Sequence, residues 1–287
     1  MRLGTIHTAN GFVPVVVDGD EVVDLTAADP ALPGTLADVL ALDPVRHSGV
    51  LEALDSGKGR LDLATVAFAA PIPAPQKFFA VGLNYADHVA ETGAPTPEFP
   101  TVFAKMSSCV NGPYDDVWRP SISDKLDYEG ELGVVIGQRC KHVSEADAAS
   151  VIAGFVVMND VSVRDYQLRS QQWVLGKSFD THGVVGPWIV TPDEIDPHRL
   201  DIRTIVNDEV RQHSNTKELI FDCYNLVALL SSACTLEPGD LIATGTPGGV
   251  GAATDSWLAP GDVVSVEIEG IGAIENRIVA EPVQGVS

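Results

Sequence analysis

The chain is short of positive charge. Eighteen lysines and arginines stand against forty aspartates and glutamates over 287 residues, a formal net charge of -22. A field of that sign repels nucleic acid and anionic lipid over long range, so neither is expected as a partner. Small anionic substrates stay open, because a bound cation or a few basic side chains can reverse the field inside one cleft. Cysteine is scarce too: Cys109, Cys140, Cys223 and Cys234 show no CxxC spacing and no histidine at ligand spacing. That pattern reads as reduced, packed thiols of a cytosolic protein rather than as disulfides or a zinc site. No uninterrupted apolar run approaches transmembrane length and no basic-then-apolar signal opens the chain, so a cytoplasmic location is expected. A Walker sequence, an EF-hand spacing, tandem repeats and low-complexity tracts are also missing, which removes P-loop nucleotide binding and calcium storage.

What is present is an ordinary soluble composition, 45% hydrophobic and 20% charged, long enough for one large domain or two smaller ones. The most informative stretch is DYEGELGVVIG, Asp127 to Gly137. Its run Leu132, Val134, Val135, Ile136 reads as a buried strand. Side chains alternate along a strand, so Glu129 and Glu131 share a face with small Gly130 between them. Two buried carboxylates that close need positive charge between them, and a divalent cation supplies it. Oxygen-only donors point to a hard ion, Mg2+ ahead of Mn2+ or Ca2+. An exposed strand edge carrying solvated acids is the other reading of the same residues. Asp127 lies on the same face and reads as an outer acceptor rather than a ligand.

Taken in order, Met1 to about Leu63 opens with short apolar runs separated by Asn10-Gly11 and Asp18-Gly19-Asp20, both hairpin-turn signals. A helical stretch is expected from about Leu36 to Leu54. Pro71, Pro73 and Pro75 form a stiff connector, so a small α+β N-terminal domain, residues 1–70, is expected before a larger domain, 71–287. The segment FFAVGLNYADHVAETG begins as a strand and turns helical after Gly82. His88 and Glu91, three apart, then share a face, as a general base and its orienting carboxylate or as a chance pair on a solvated helix. The proline-rich loop Gly93 to Pro100 reads as a hinge or lid boundary, and Lys105 lies beside an apolar run. Ser144 with Asp147 is a helix-start signal. A second strand, Phe155 to Met158, runs into Asn159 and Asp160, placing Asp160 to give a third oxygen ligand, with Arg164 and Gln167 following at helical spacing. Lys177 sits in an apolar, glycine-rich stretch and either points into a pocket or is a surface residue with a packed stem. A hairpin is expected around Asn207-Asp208-Glu209 within Asp201 to Ile220, a helix over Phe221 to Ala233, a glycine-rich loop from Gly245 whose N–H groups and Thr246 hydroxyl can cradle a carboxylate, and a strand over Val263 to Ile268.

The blocks GLNYADHVAE, DYEGELGVVIG, MNDVSVRDYQ, GKSFDTHGVVGPW, VNDEVRQ and LEPGDLIATGTPGGVG resemble, in order and spacing, the fumarylacetoacetate hydrolase family, over about Pro71 to Ile268. The resemblance implies an α+β, mainly β fold, a mixed β-sandwich roll with a small α+β N-terminal domain, assembled as a homodimer. It implies Mg2+ or Mn2+ held by Glu129, Glu131 and Asp160, with a small anionic 2-oxo acid as substrate. On matching positions it assigns His88 and Glu91 to water activation or proton transfer, Lys177 to the metal's side, Arg164 and Gln167 to substrate oxygens, and Thr246 to the substrate carboxylate.

The reaction the resemblance implies is hydrolysis of a C–C bond in a β-diketo acid such as an acylpyruvate, through an enolate stabilised by the metal. Isomerisation of 2-hydroxyhepta-2,4-diene-1,7-dioate and decarboxylation of oxaloacetate use the same expected site. A reading of another class is a non-catalytic dimeric scaffold around a structural ion, which would have no need of Lys177, Arg164 or His88.

Overall fold

The computed structural model describes residues 1–42, 47–93 and 95–282. Its centre is the antiparallel pair of strands Gly130–Ile136 and Ile152–Asp160, buried along their whole length. Around it runs a mixed sheet. On one side come Gly183–Val190, Arg2–Thr8, Gly11–Asp18, Glu21–Asp24 and Arg60–Asp62, and on the other Leu241–Ala243, Phe78–Gly82 and Thr101–Lys105. A second, five-stranded sheet is built from Glu209–Asn215, Asp201–Val206, Val263–Ile268, Gly272–Ala280 and Val117–Arg119.

Alternation along the central strands explains why both their faces are apolar. Leu132, Val134 and Ile136 join Phe155 and Val157 in a core shared with Ile202, Val264 and Val266 of the second sheet and with Val227 and Leu230 of the Cys223–Ala233 helix. Val135, Val156 and Met158 face the other way, against Leu3, Val16, Leu36 and Leu40. The N-terminal strands therefore continue the large sheet, Arg2 pairing with Val190 and Leu3 with Ile189, and they share this second core with the rest of the chain. The fold is the mainly β, α+β architecture expected.

Local expectations hold with two adjustments. The hairpins turn at Gly11 and Gly19, both at positive φ, and at Asn207-Asp208, both left-handed. The helix expected from Leu36 to Leu54 is instead two helices, Leu36–Leu42 and Ser48–Asp55. Residues 43–46 between them lie outside the described residues, and Pro44 in that stretch lacks the N–H a continuous helix requires. The segment after Ser144 is a 3-10 helix, Glu145–Val151, with the Ser144 hydroxyl accepting from the Asp147 amide. Of the loop expected at Gly93 to Pro100, Ala94 lies outside the described residues. No helix among the described residues is long and apolar enough to cross a membrane.

Candidate metal centre and active site

The central strand pair brings the three predicted acids together. Gly130 stands opposite Asn159, and the Asp160 amide donates to the Glu129 carbonyl at 2.9 Å, so Asp160 at the strand end lies beside Glu129. The Asn159 side chain accepts from the Glu129 amide at 3.0 Å and fixes the bend where the strand begins. Glu131, two residues on, returns to the same side. Gly130 between them points to the opposite face, where an added Cβ would lie 2.2 Å from the Thr204 hydroxyl. One carboxylate oxygen from each of Glu129, Glu131 and Asp160 falls within 4.8 Å of the others, and all three residues are buried. The reading of Glu129 and Glu131 as a solvated strand edge does not describe this structure.

Two buried lysines and a partly buried arginine surround the acids. Lys177 Nζ donates to Glu129 Oε2 at 2.6 Å and to Asp160 Oδ2 at 2.8 Å, so its ammonium points inward. Arg164 reaches Asp127 through Nε at 2.8 Å, and Glu129 Oε1 and Gln167 Oε1 through Nη1 at 2.5 and 3.0 Å. Its Nη2 is buried with no protein partner among the described residues. Lys105 Nζ meets Asp160 Oδ1 at 2.5 Å and also donates to the Lys177 carbonyl. Asp127 is an acceptor for Arg164 and for the Gly251 and Ala252 amides, which fits the outer role expected for it.

The electrostatics divide the two glutamates. Burial alone would raise the Glu129 carboxyl, but Lys177 and Arg164 outweigh it and hold the group down at about 2. Glu131 goes the other way: burial, with Asp160 and Glu129 adding to it, pushes its carboxyl well above the ordinary range. Its Oε2 accepts the Gly245 amide at 2.6 Å. A buried acid with no Lys or Arg bonded to it among the described residues, set against Glu129 and Asp160, is where added positive charge relieves the most repulsion. An all-oxygen donor set in which an ammonium already bridges two carboxylates fits a hard divalent ion.

The remaining predicted residues lie on segments hydrogen-bonded to the cluster or to the loop that braces it. His88 and Glu91 lie on the helix Ala86–Thr92, with Nδ1 of the imidazole 3.2 Å from Glu91 Oε2. Glu91 also accepts the Gly249 amide, and Asp87 the Gly248 amide, which ties that helix to the loop whose Gly245 holds Glu131. The Thr246 hydroxyl donates to the Gly130 carbonyl and accepts from Gln212, both at 2.9 Å, so it braces the loop against the triad strand. Gln167 is buried beside Arg164.

Several participants carry no sequence signal. Lys105 reads only as a lysine near an apolar run. Gln212, which binds Thr246 and the Gly130 amide, is 82 residues from the latter. Asn84 links the start of the His88 helix to the Thr244 carbonyl at 2.7 Å and to Phe221. The Tyr85 hydroxyl is buried without a protein partner among the described residues, and burial together with the charge on Glu131 raises it well above the phenol range. His182 is completely buried, its Nε2 2.7 Å from the Trp118 carbonyl, and burial lowers its pKa to about 3. The ring is therefore neutral with Nε2–H as donor.

Residues 77–279 match the family model for the fumarylacetoacetate (FAA) hydrolase C-terminal domain. The chain is 43% identical over 267 residues to a mitochondrial oxaloacetate tautomerase of Bos taurus, covering 91% of this chain and 85% of that one. Among solved structures, fumarylacetoacetate hydrolase from psychrophilic Exiguobacterium antarcticum superposes with a TM-score of 0.86 at 33% identity, over 98% of this chain and all of the other. Maleylpyruvate hydrolase from Sphingobium sp. SYK-6, in complex with manganese (II) ion and pyruvate, gives 0.81 at 35% over the same shares. These likenesses show that the chain belongs to the fumarylacetoacetate hydrolase family, whose members are enzymes.

Proposed function

We propose that this protein enolises small 2-oxo acids, and that its reaction is the keto–enol tautomerisation of a 2-oxo acid with a second carboxylate, oxaloacetate being the simplest case. The observation that carries the reading is the buried convergence of Glu129, Glu131 and Asp160 with Lys177 shared between two of them. The names of the oxaloacetate tautomerases that resemble this chain support the choice of substrate. Glu129, Glu131 and Asp160 would hold Mg2+ or Mn2+, and the manganese in the maleylpyruvate hydrolase structure supports that pair of ions. When bound, the ion supplies a Lewis acid for the keto and carboxylate oxygens of the substrate.

The chain's own side chains do the rest. Arg164, gripped by Asp127 and Glu129, offers its uncommitted Nη2 to a substrate carboxylate, with Gln167 alongside. The Thr246 loop closes that side. Lys177 donates toward charge developing on the keto oxygen. His88, oriented by Glu91, takes the proton from the carbon next to the keto group and returns it to the oxygen. The C–H electron pair becomes the C=C bond, and no other reactant is consumed.

Hydrolysis of an acylpyruvate is the second reading, favoured by the same His88–Glu91 contact. A pair that moves a proton at carbon also takes one from water. The water oxygen then adds to the distal carbonyl, the C–C bond breaks, and its electrons leave on the pyruvate enol, which is protonated at carbon. The test is to give the Mg2+- or Mn2+-loaded protein oxaloacetate and, separately, an acylpyruvate, following enol absorbance, CO2 and carboxylic acid products. Faster keto–enol equilibration of oxaloacetate without CO2 is expected. Acid release from the acylpyruvate alone supports hydrolysis, CO2 from oxaloacetate would make the protein a decarboxylase, and inertness toward both would sink the proposal. The homodimer belongs to the same proposal, with sedimentation as its check.

A further inference from the structure

The mechanism above leaves Lys105 unused, although it is among the most deeply buried charges in the protein. Its side chain is fully enclosed at the end of the Thr101–Lys105 strand, with the Phe78 ring 6.0 Å from Nζ. Taking an ammonium out of water is costly, and an apolar side chain would fill the same space at less expense.

Its two acceptors are unusual in combination. One is Asp160 Oδ1, the other the backbone carbonyl of Lys177. Lys177 in turn reaches the other oxygen of the same carboxylate, Oδ2, with its side chain. Lys105, Lys177 and Asp160 thus form a closed triangle in which one ammonium grips both the acid and the backbone that presents the second ammonium. Among the described residues the strand that carries Lys105 is an edge strand, paired with Phe78–Gly82. The carboxylate plane is consequently set from outside the triad.

We infer that Lys105 is a positioning residue: it holds Asp160 through Oδ1 so that Oδ2 faces Glu129 and Glu131, and it places the Lys177 backbone so that Nζ reaches the same edge. The inference rests on the reading of Asp160 as a metal ligand. Charge is consistent with it. Counted as formal charges with all four acids ionised, Asp127, Glu129, Glu131 and Asp160 exceed Lys105, Arg164 and Lys177 by one negative charge. A divalent ion turns that remainder positive, which suits an anionic substrate in a chain that is otherwise strongly acidic.

The experiment is Mn2+ binding to the full chain, followed by electron paramagnetic resonance and calorimetry, for wild type, Glu131→Gln, Lys105→Met and Lys105→Gln. Residues behind metal ligands typically change affinity about 10- to 100-fold when removed. Lys105→Met is expected to weaken Mn2+ within that range and to broaden its spectrum, while Lys105→Gln, which keeps a donor, recovers part of the affinity. On oxaloacetate, kcat should fall more than KM rises. Unchanged or tighter Mn2+ with a wild-type spectrum would mean that Lys105 only neutralises charge, and would overturn the inference while leaving the triad intact. If wild type and Glu131→Gln bind Mn2+ equally poorly, the metal reading fails and this inference goes with it. Wild type also gives an answer without any variant: in crystals grown with Mn2+, Asp160 should meet the ion through Oδ2 with Lys105 Nζ still on Oδ1. An ion on Oδ1, or Lys105 turned away, overturns it.

Discussion

The Gly245 amide donates to Glu131 Oε2 at 2.6 Å, and through this bond a loop more than a hundred residues downstream is fastened to the acid with the least compensated charge. Gly245 can do this because its φ is +110°, a conformation that L side chains rarely adopt. A Cβ there would also sit 2.8 Å from the Asn84 Cβ. Gly245→Ala should cost about 1–3 kcal/mol of stability and weaken metal binding, which thermal melts with and without Mn2+ would measure. A melt unchanged from wild type would contradict the strain argument.

Tyr85 supplies a contrasting case. Its buried hydroxyl makes no hydrogen bond to protein among the described residues, so Tyr85→Phe removes no such bond and should leave stability within about 0.5 kcal/mol of wild type. Denaturant titration checks this directly. A loss well beyond that figure would mean the hydroxyl has a structural partner.

Glu91 serves two neighbours, His88 Nδ1 and the Gly249 amide. The two roles separate by substitution. Glu91→Gln keeps an acceptor for Gly249 and should preserve the melting temperature while lowering kcat about 10- to 1,000-fold through the lost orienting charge. Glu91→Ala should show that loss and also cost about 1 kcal/mol of stability. Equal kcat for wild type and Glu91→Gln would remove Glu91 from the chemistry.

His182 sets an acid limit. Its folded pKa is about 3 against an ordinary 6.5, so below pH 6.5 the unfolded chain binds a proton that the folded chain refuses. Stability from this group is fully present above pH 6.5 and is lost as pH falls toward 3, at up to about 1.4 kcal/mol per unit. His182→Gln puts a non-titrating amide near the Trp118 carbonyl and should flatten the pH profile of stability by one proton across that window. Parallel profiles for the two proteins would show that His182 does not carry the proton difference.

The parts of the site that could be read from the sequence are those whose geometry is local. Glu129 and Glu131 are two apart where an extended strand begins, and His88 and Glu91 are three apart on a helical turn, so period alone puts each pair on one face. The strand–turn–helix from Ile152 through Gln167 follows similarly from an apolar run ending in acids. The helical stretch over Leu36 to Leu54 divides into Leu36–Leu42 and Ser48–Asp55, because apolar spacing continues on both sides of Pro44 while its ring cannot supply the N–H of a continuous helix.

What the sequence by itself determined is therefore the acidic strand, the His–Glu helix turn, the alternation that buries the central sheet on both faces and, through six ordered blocks, the family. The tertiary structure alone decided which cations meet those acids. Lys105 is 55 residues from Asp160 and Lys177 is 48 from Glu129, separations over which no periodicity acts. Only the closing of the sheet brings them within hydrogen-bond reach. The same closure decides that Glu129 is stabilised as an anion while Glu131, two residues further along the chain, is not, because a carboxylate's charge is set by whatever shares its low-dielectric surroundings.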